Sequence, residues 1–146
     1  MPTFKQKNLR IGRHSQAKHI YHITTTISNR LPIFNDFYLT RKIINTIKQS
    51  DILGYTTTLA YVVMPDHLHW LMQLEHKVTL QQVIRSMKSQ TAKVVGRPIW
   101  QSSYYDHAIR KDEDIVNIAR YIVANPIRAG LVKKVGDYPH WDSIYL

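Results

Sequence analysis

The chain has 146 residues, 44% of them hydrophobic, a length that suits a single domain with its own core. It has no cysteine, which excludes disulfides, a thiolate zinc centre and a cysteine nucleophile. Twenty Lys and Arg against ten Asp and Glu give a formal net charge of +10, which points to an anionic partner, nucleic acid ahead of a membrane surface.

The first 18 residues, "MPTFKQKNLRIGRHSQAK", form a basic arm without the apolar stretch of a secretory signal. No later apolar run reaches the roughly 20 residues that cross a bilayer. A cytoplasmic location is therefore expected. Residues 19–132 read as one core and 133–146 as a tail, with no repeat or linker between them. "HIYHITTTI" (19–27) is rich in β-branched and aromatic residues and predicts a strand. In "FNDFYLTRKIINTIKQS", Phe37, Ile43, Ile44 and Ile47 fall near helical spacing, with Asn35 the expected N-cap and Gly54 the stop. "YTTTLAYVVM" and "HLHWLMQL" predict two strands hairpinned at Pro65 and Asp66. Thr79 and Gln82 have capping-box spacing at the head of "TLQQVIRSMKSQTAKVV", a helix that "GRP" ends. "SYYDHAIR" predicts a fourth strand. "DEDIVNIARYIVAN" predicts a last helix, closed at Asn125 by Pro126. The aromatic tail "YPHWDSIYL" is expected to pack back on the domain. The order β-α-β-β-α-β plus one C-terminal helix predicts an α+β, ferredoxin-like fold with an antiparallel sheet.

Period-two alternation puts Leu68, Trp70, Met72 and Leu74 on one face of the third strand, under the helices. His67 and His69 then share the opposite face, expected to be free of helix. Two imidazoles one residue apart can reach one divalent ion, although a solvated sheet face would also accommodate them. The last helix offers more. With Ile115, Ile118, Ala119 and Ile122 on its buried stripe, Tyr121 and Asn125 stand one turn apart on its flank. Asn125 is a candidate third metal ligand, and Tyr121 a candidate nucleophile toward phosphate. A phenol attacks poorly at neutral pH unless cations or a metal assist it. Tyr104 and Tyr105 are rivals on the fourth strand, but neither has a ligand at helical spacing.

These residues carry a resemblance. "VVMPDHLHWLMQL" resembles the histidine–hydrophobic–histidine segment of the HUH single-tyrosine transposases. "WQSSYYDHAIRKDEDIVNIARYIVANPIRAGLV" is similar to the REP-associated tyrosine transposases, the domesticated branch of that group. The resemblance spans about Ile20 to Val132. It implies a metal-dependent enzyme that cuts and rejoins single-stranded DNA near hairpins through a 5′-phosphotyrosine. It also implies that His67, His69 and Asn125 hold Mg²⁺ or Mn²⁺ and that Tyr121 is the nucleophile. Asp66 stands where many relatives carry Asn, and no role is expected of it.

Single-stranded DNA needs cations for its backbone and rings for its bases. Lys5, Lys7, Arg10, Arg13 and Lys18 on the arm, and Arg85, Lys88, Lys93 and Arg97 on or after the second helix, are the candidate DNA contacts. His107 and Arg110 are candidate supporting residues. Two other functions remain open: a non-catalytic binder of structured DNA or RNA, and a metal-dependent phosphodiesterase that uses water. No membrane partner is expected. A monomer is favoured over a homodimer, because Pro126 ends the last helix and no long apolar edge is evident.

Overall fold

A computed structural model describes residues 18–145. In chain order the elements are β1 (Ile20–Thr26), α1 (Phe37–Ile52), β2 (Thr56–Met64), β3 (His67–Leu74), α2 (Leu80–Val95), β4 (Tyr105–Ala108), α3 (Ile115–Val123), α4 (Asn125–Arg128) and β5 (Trp141–Ser143). The strands form one antiparallel sheet in the order β4-β1-β3-β2-β5. Its first four members are the expected ferredoxin-like set. The fifth is new: the tail adds a short strand at the β2 edge, where the Tyr138 hydroxyl donates to the Val63 carbonyl at 2.6 Å.

The elements start and stop for local reasons. α2 opens on a complete capping box between Thr79 and Gln82 and closes at Gly96, whose φ of 89° suits a residue without Cβ. The N-cap of α1 is Asp36 rather than Asn35, since the Asp36 Oδ1 accepts from the Leu39 amide at 3.2 Å while Asn35 ends a short 3₁₀ turn. Asp114 caps α3 in the same way. β4 is shorter than the expected strand. β2 and β3 turn tightly at Pro65 and Asp66, pairing Met64 with His67.

α1 and α2 cover one sheet face, and the main core lies between them and Tyr21, Ile23, Leu68, Trp70, Met72 and Leu74. The alternation in β3 therefore sorts its apolar set as expected. Trp70 is fully buried, and its indole N–H donates to the Thr58 hydroxyl at 3.0 Å. Trp70→Ala is expected to cost about 3–5 kcal/mol. It should read as a lower urea midpoint at unchanged slope; a midpoint within error of wild type would show that the core closes around the gap.

The opposite face is not free of helix, contrary to the sequence expectation. A bulge between Thr58 and Ala60 turns both Leu59 and Ala60 toward that face, ahead of Val62 and Met64. With Leu71 they form an apolar strip that Ala119 and Ile122 of α3 bury. The face is greasy on β2 and polar on β1, β3 and β4, so α3 docks on the greasy half and lies beside the histidines.

Candidate active site

Strand register assembles the polar half. Thr24 lies opposite His69, Thr26 opposite His67, and on the far side of β1 His22 faces His107 and Thr24 faces Tyr105. The His67 and His69 rings meet edge to face with centroids 5.0 Å apart. Each imidazole is held by its Nδ1. That of His67 is 2.7 Å from the Asp66 carboxylate, whose other oxygen accepts from Arg30 Nε at 2.8 Å. That of His69 lies 3.0 Å from His22 Nε2 and 3.1 Å from the Thr24 hydroxyl. The Nε2 atoms are thus the ones left for a ligand.

Asp66 consequently has a role the sequence did not reveal. Burial would raise its pKa, but the bonds and charges of His67 and Arg30 outweigh that and hold it below the ordinary carboxylate value. A carboxylate on the outer nitrogen of a ligating histidine fixes the ring and makes it a better donor. A second carboxylate stands further out, where both oxygens of Glu113 lie within 3.0 Å of His107 Nε2. Glu113 also accepts from the Arg110 amide, so His107 and Arg110 tie β4 to the head of α3.

Burial sets the charge of the inner rings. His69 is pushed down to about 3, first by burial and then by His22, His67 and Arg128. His22 falls to about 4 through burial and then His107. Both rings are neutral at pH 7, as a metal ligand and its neighbour must be. Below pH 6.5 the unfolded chain protonates these rings while the folded chain does not. The metal-free protein should therefore lose stability as pH falls from about 6.5 toward 4. Urea unfolding at pH 7, 5.5 and 4.5 checks this, and a flat profile contradicts it.

α3 and α4 bring the remaining candidates to this face. Tyr121 is 59% exposed, and the Arg128 guanidinium stacks 3.6 Å from its ring centroid while donating to its carbonyl at 2.6 Å. The same guanidinium is close enough to depress His69. Neither Tyr121 nor Asn125 hydrogen-bonds to the imidazoles. The last predicted helix ends ahead of Pro126 as expected, at Val123 rather than Asn125, and a separate short helix follows. Ala124 stays helical and the chain runs on into α4, with Pro126 in its first turn. Proline has no N–H to offer the Ile122 carbonyl, and Asn125 Nδ2 supplies the bond instead, at 2.9 Å. That fixes the amide and leaves Oδ1 as its free acceptor.

The donor set fits a hard or borderline divalent ion. No group of three or more His, Asp, Glu or Cys side chains able to hold a metal occurs among the described residues. For the two imidazoles to hold such an ion, a ligand of another kind would have to join them, and the Asn125 oxygen has the right chemistry. Of the rival tyrosines, Tyr105 shares the histidine face, but burial and the charges of Asp106 and Glu113 push its phenol up. Tyr104 packs against the main core.

A family model described as "Transposase IS200 like" matches residues 15–125. The chain belongs to that family. Within it, the chain is similar to members of the REP-associated branch. It is 37% identical over 82 residues to the "REP-associated tyrosine transposase" of Escherichia coli K12, covering 55% of this chain and 50% of that one. A relative from Haemophilus influenzae is 31% identical over 99 residues, 57% of this chain and 56% of its own. The chain thus spans about half the length of the curated relatives it matches. Among solved structures, "Structure of the REP associates tyrosine transposase bound to a REP hairpin" superposes with a TM-score of 0.74 at 27% identity, covering 88% of this chain and 79% of that one. No helix among the described residues is long and apolar enough to cross a membrane.

The expected DNA contacts divide. Lys5, Lys7, Arg10 and Arg13 lie outside the described residues. Lys18 is exposed and paired with Glu75. Arg85, Lys93 and Arg97 are exposed on or just beyond α2. Lys88 is half-buried, donating to the carbonyls of Gln101 at 2.8 Å and Ser103 at 3.3 Å, and so pins the loop before β4. With Arg85, Trp100 and Tyr104 it lines an open groove of about 520 Å³. Sequence reasoning missed His22, Thr24, Arg30, Glu113 and Arg128. Alternation does put His22 and Thr24 on one face of β1, but which residues they meet depends on strand pairing.

Proposed function

We propose that this chain cuts and rejoins single-stranded DNA beside a hairpin, with Tyr121 as the attacking group and His67, His69 and Asn125 holding Mg²⁺ or Mn²⁺. The observation that carries the reading is the packing of α3, through Ala119 and Ile122, on Val62 and Leu71 of the histidine face, with Arg128 stacked on the Tyr121 ring at 3.6 Å. It brings the helix that carries the candidate nucleophile to the sheet face that carries the ring pair. The bound ion would polarise the scissile phosphate and offset charge on the leaving oxygen. Everything else falls to the protein. Tyr121 gives its phenolic proton to water and attacks phosphorus through Oη. The P–O3′ bond breaks, the 3′ oxygen takes up a proton, and the 5′ phosphate stays esterified to Tyr121. A 3′ hydroxyl attacking that ester reverses the step and releases the tyrosine, so strands are joined without external energy. Arg128, a guanidinium beside the tyrosine, suits a phosphate oxygen in either direction. The +10 net charge favours the polyanion, and affinity should drop steeply with added salt.

The test is to incubate the chain with Mn²⁺ and a single-stranded DNA carrying a hairpin, then look for a protein–DNA adduct that survives denaturant. An adduct with a new 3′ hydroxyl supports the reading. Cleavage without an adduct replaces it with a hydrolase using water, and retention without cleavage replaces it with a binder.

A further inference from the structure

His69 has two neighbours at Nδ1, and one of them decides what the ring can do. A neutral imidazole carries its proton on one nitrogen and a lone pair on the other. For Nε2 to ligate a cation its lone pair must be free, so the proton must sit on Nδ1 and find an acceptor there. His67 meets that need through the Asp66 carboxylate, which accepts and cannot donate. His69 has no carboxylate. It has His22 Nε2 at 3.0 Å, with the two rings 5.2 Å apart between centroids and tilted by 42°, and the Thr24 hydroxyl at 3.1 Å. The hydroxyl rotates to donate or accept and so selects neither tautomer. If His22 donated instead, the His69 proton would move to Nε2 and close the ring to an ion.

We propose that His22 is a positioning residue: its Nε2 accepts from His69 Nδ1–H, fixing the tautomer and plane in which His69 Nε2 is open to the cation. The inference rests on the metal reading above and gives β1 a share in a site otherwise drawn from β3 and the C-terminal helices. The two histidines are then held by different devices, a carboxylate for one and an imidazole for the other. Loss of such an outer partner characteristically weakens metal binding by about 10- to 100-fold.

The test titrates Mn²⁺ into the whole chain and follows free ion by electron paramagnetic resonance, with melting temperature recorded for each variant. His22→Leu keeps the bulk without an acceptor and is expected to bind Mn²⁺ roughly 10- to 100-fold more weakly at a similar melting temperature. His22→Gln carries an amide oxygen near the position of Nε2 and should recover most of that loss. Equal binding by wild type and His22→Leu, or a His22→Gln as weak as His22→Leu, overturns the inference while the metal reading stands. Wild-type chain that binds no better than His69→Ala overturns both. Tautomer supplies an independent readout: long-range ¹H–¹⁵N correlation in the metal-free chain should find the His69 proton on Nδ1, and a proton on Nε2 overturns the proposal.

Discussion

Tyr121→Phe should abolish the covalent protein–DNA adduct and reduce strand cleavage by about a thousandfold or more, as removal of an attacking group does. The substitution is a clean one here. Phe keeps the ring under the Arg128 guanidinium, and the backbone carbonyl that Arg128 also holds is untouched. The side chain is 59% exposed and makes no hydrogen bond through its hydroxyl, so stability should move by less than about 0.5 kcal/mol. Hairpin DNA should still be retained in a gel-shift assay. Cleavage at the wild-type rate by Tyr121→Phe would remove this tyrosine from the chemistry and return attention to water.

The second large effect is expected at the imidazoles. His67→Ala and His69→Ala, singly, should each lower cleavage by about 10²- to 10³-fold, equivalent to roughly 3–4 kcal/mol of lost charge stabilisation at the phosphate. Excess Mn²⁺ should restore part of that loss, because one imidazole and the Asn125 oxygen remain. The double variant should respond to no concentration of Mn²⁺, and chelation of the wild-type chain should match it. DNA retention is expected to persist throughout, because the cations that attract the backbone lie elsewhere. Neither ring belongs to the apolar clusters, so truncation should spare the fold. Initial rates against Mn²⁺ concentration decide the matter; a chelated wild type that cuts at its full rate would end the metal reading.

The predicted and observed structures part company in instructive places. Pro126 was expected to stop the last helix because proline breaks the hydrogen-bond ladder. The helix does end ahead of it, at Val123, but Asn125 bonds the Ile122 carbonyl and a separate short helix carries Arg128 back toward Tyr121. Asp66 looked like a turn residue and proved to hold both His67 and Arg30. Asn125 and His67 act on their near neighbours, whereas Arg30 reaches Asp66 from 36 positions away.

Much of this protein is written along the chain. Alternation in β3 separates Leu68, Trp70, Met72 and Leu74 from His67 and His69, the capping box starts α2, and the α3 periodicity buries Ala119 and Ile122. These are effects between residues a few positions apart, so the order of side chains suffices to fix them. Tertiary structure decided the rest. The bulge at Leu59 and Ala60 made a greasy strip that drew α3 onto the histidine face. The β1–β3 register set His22 and Thr24 against His69, and the tail closed the β2 edge with a fifth strand. Such pairings join residues up to about 80 positions apart. Their choice depends on which apolar surfaces can be buried together, a sum over the whole molecule that no short stretch of sequence contains.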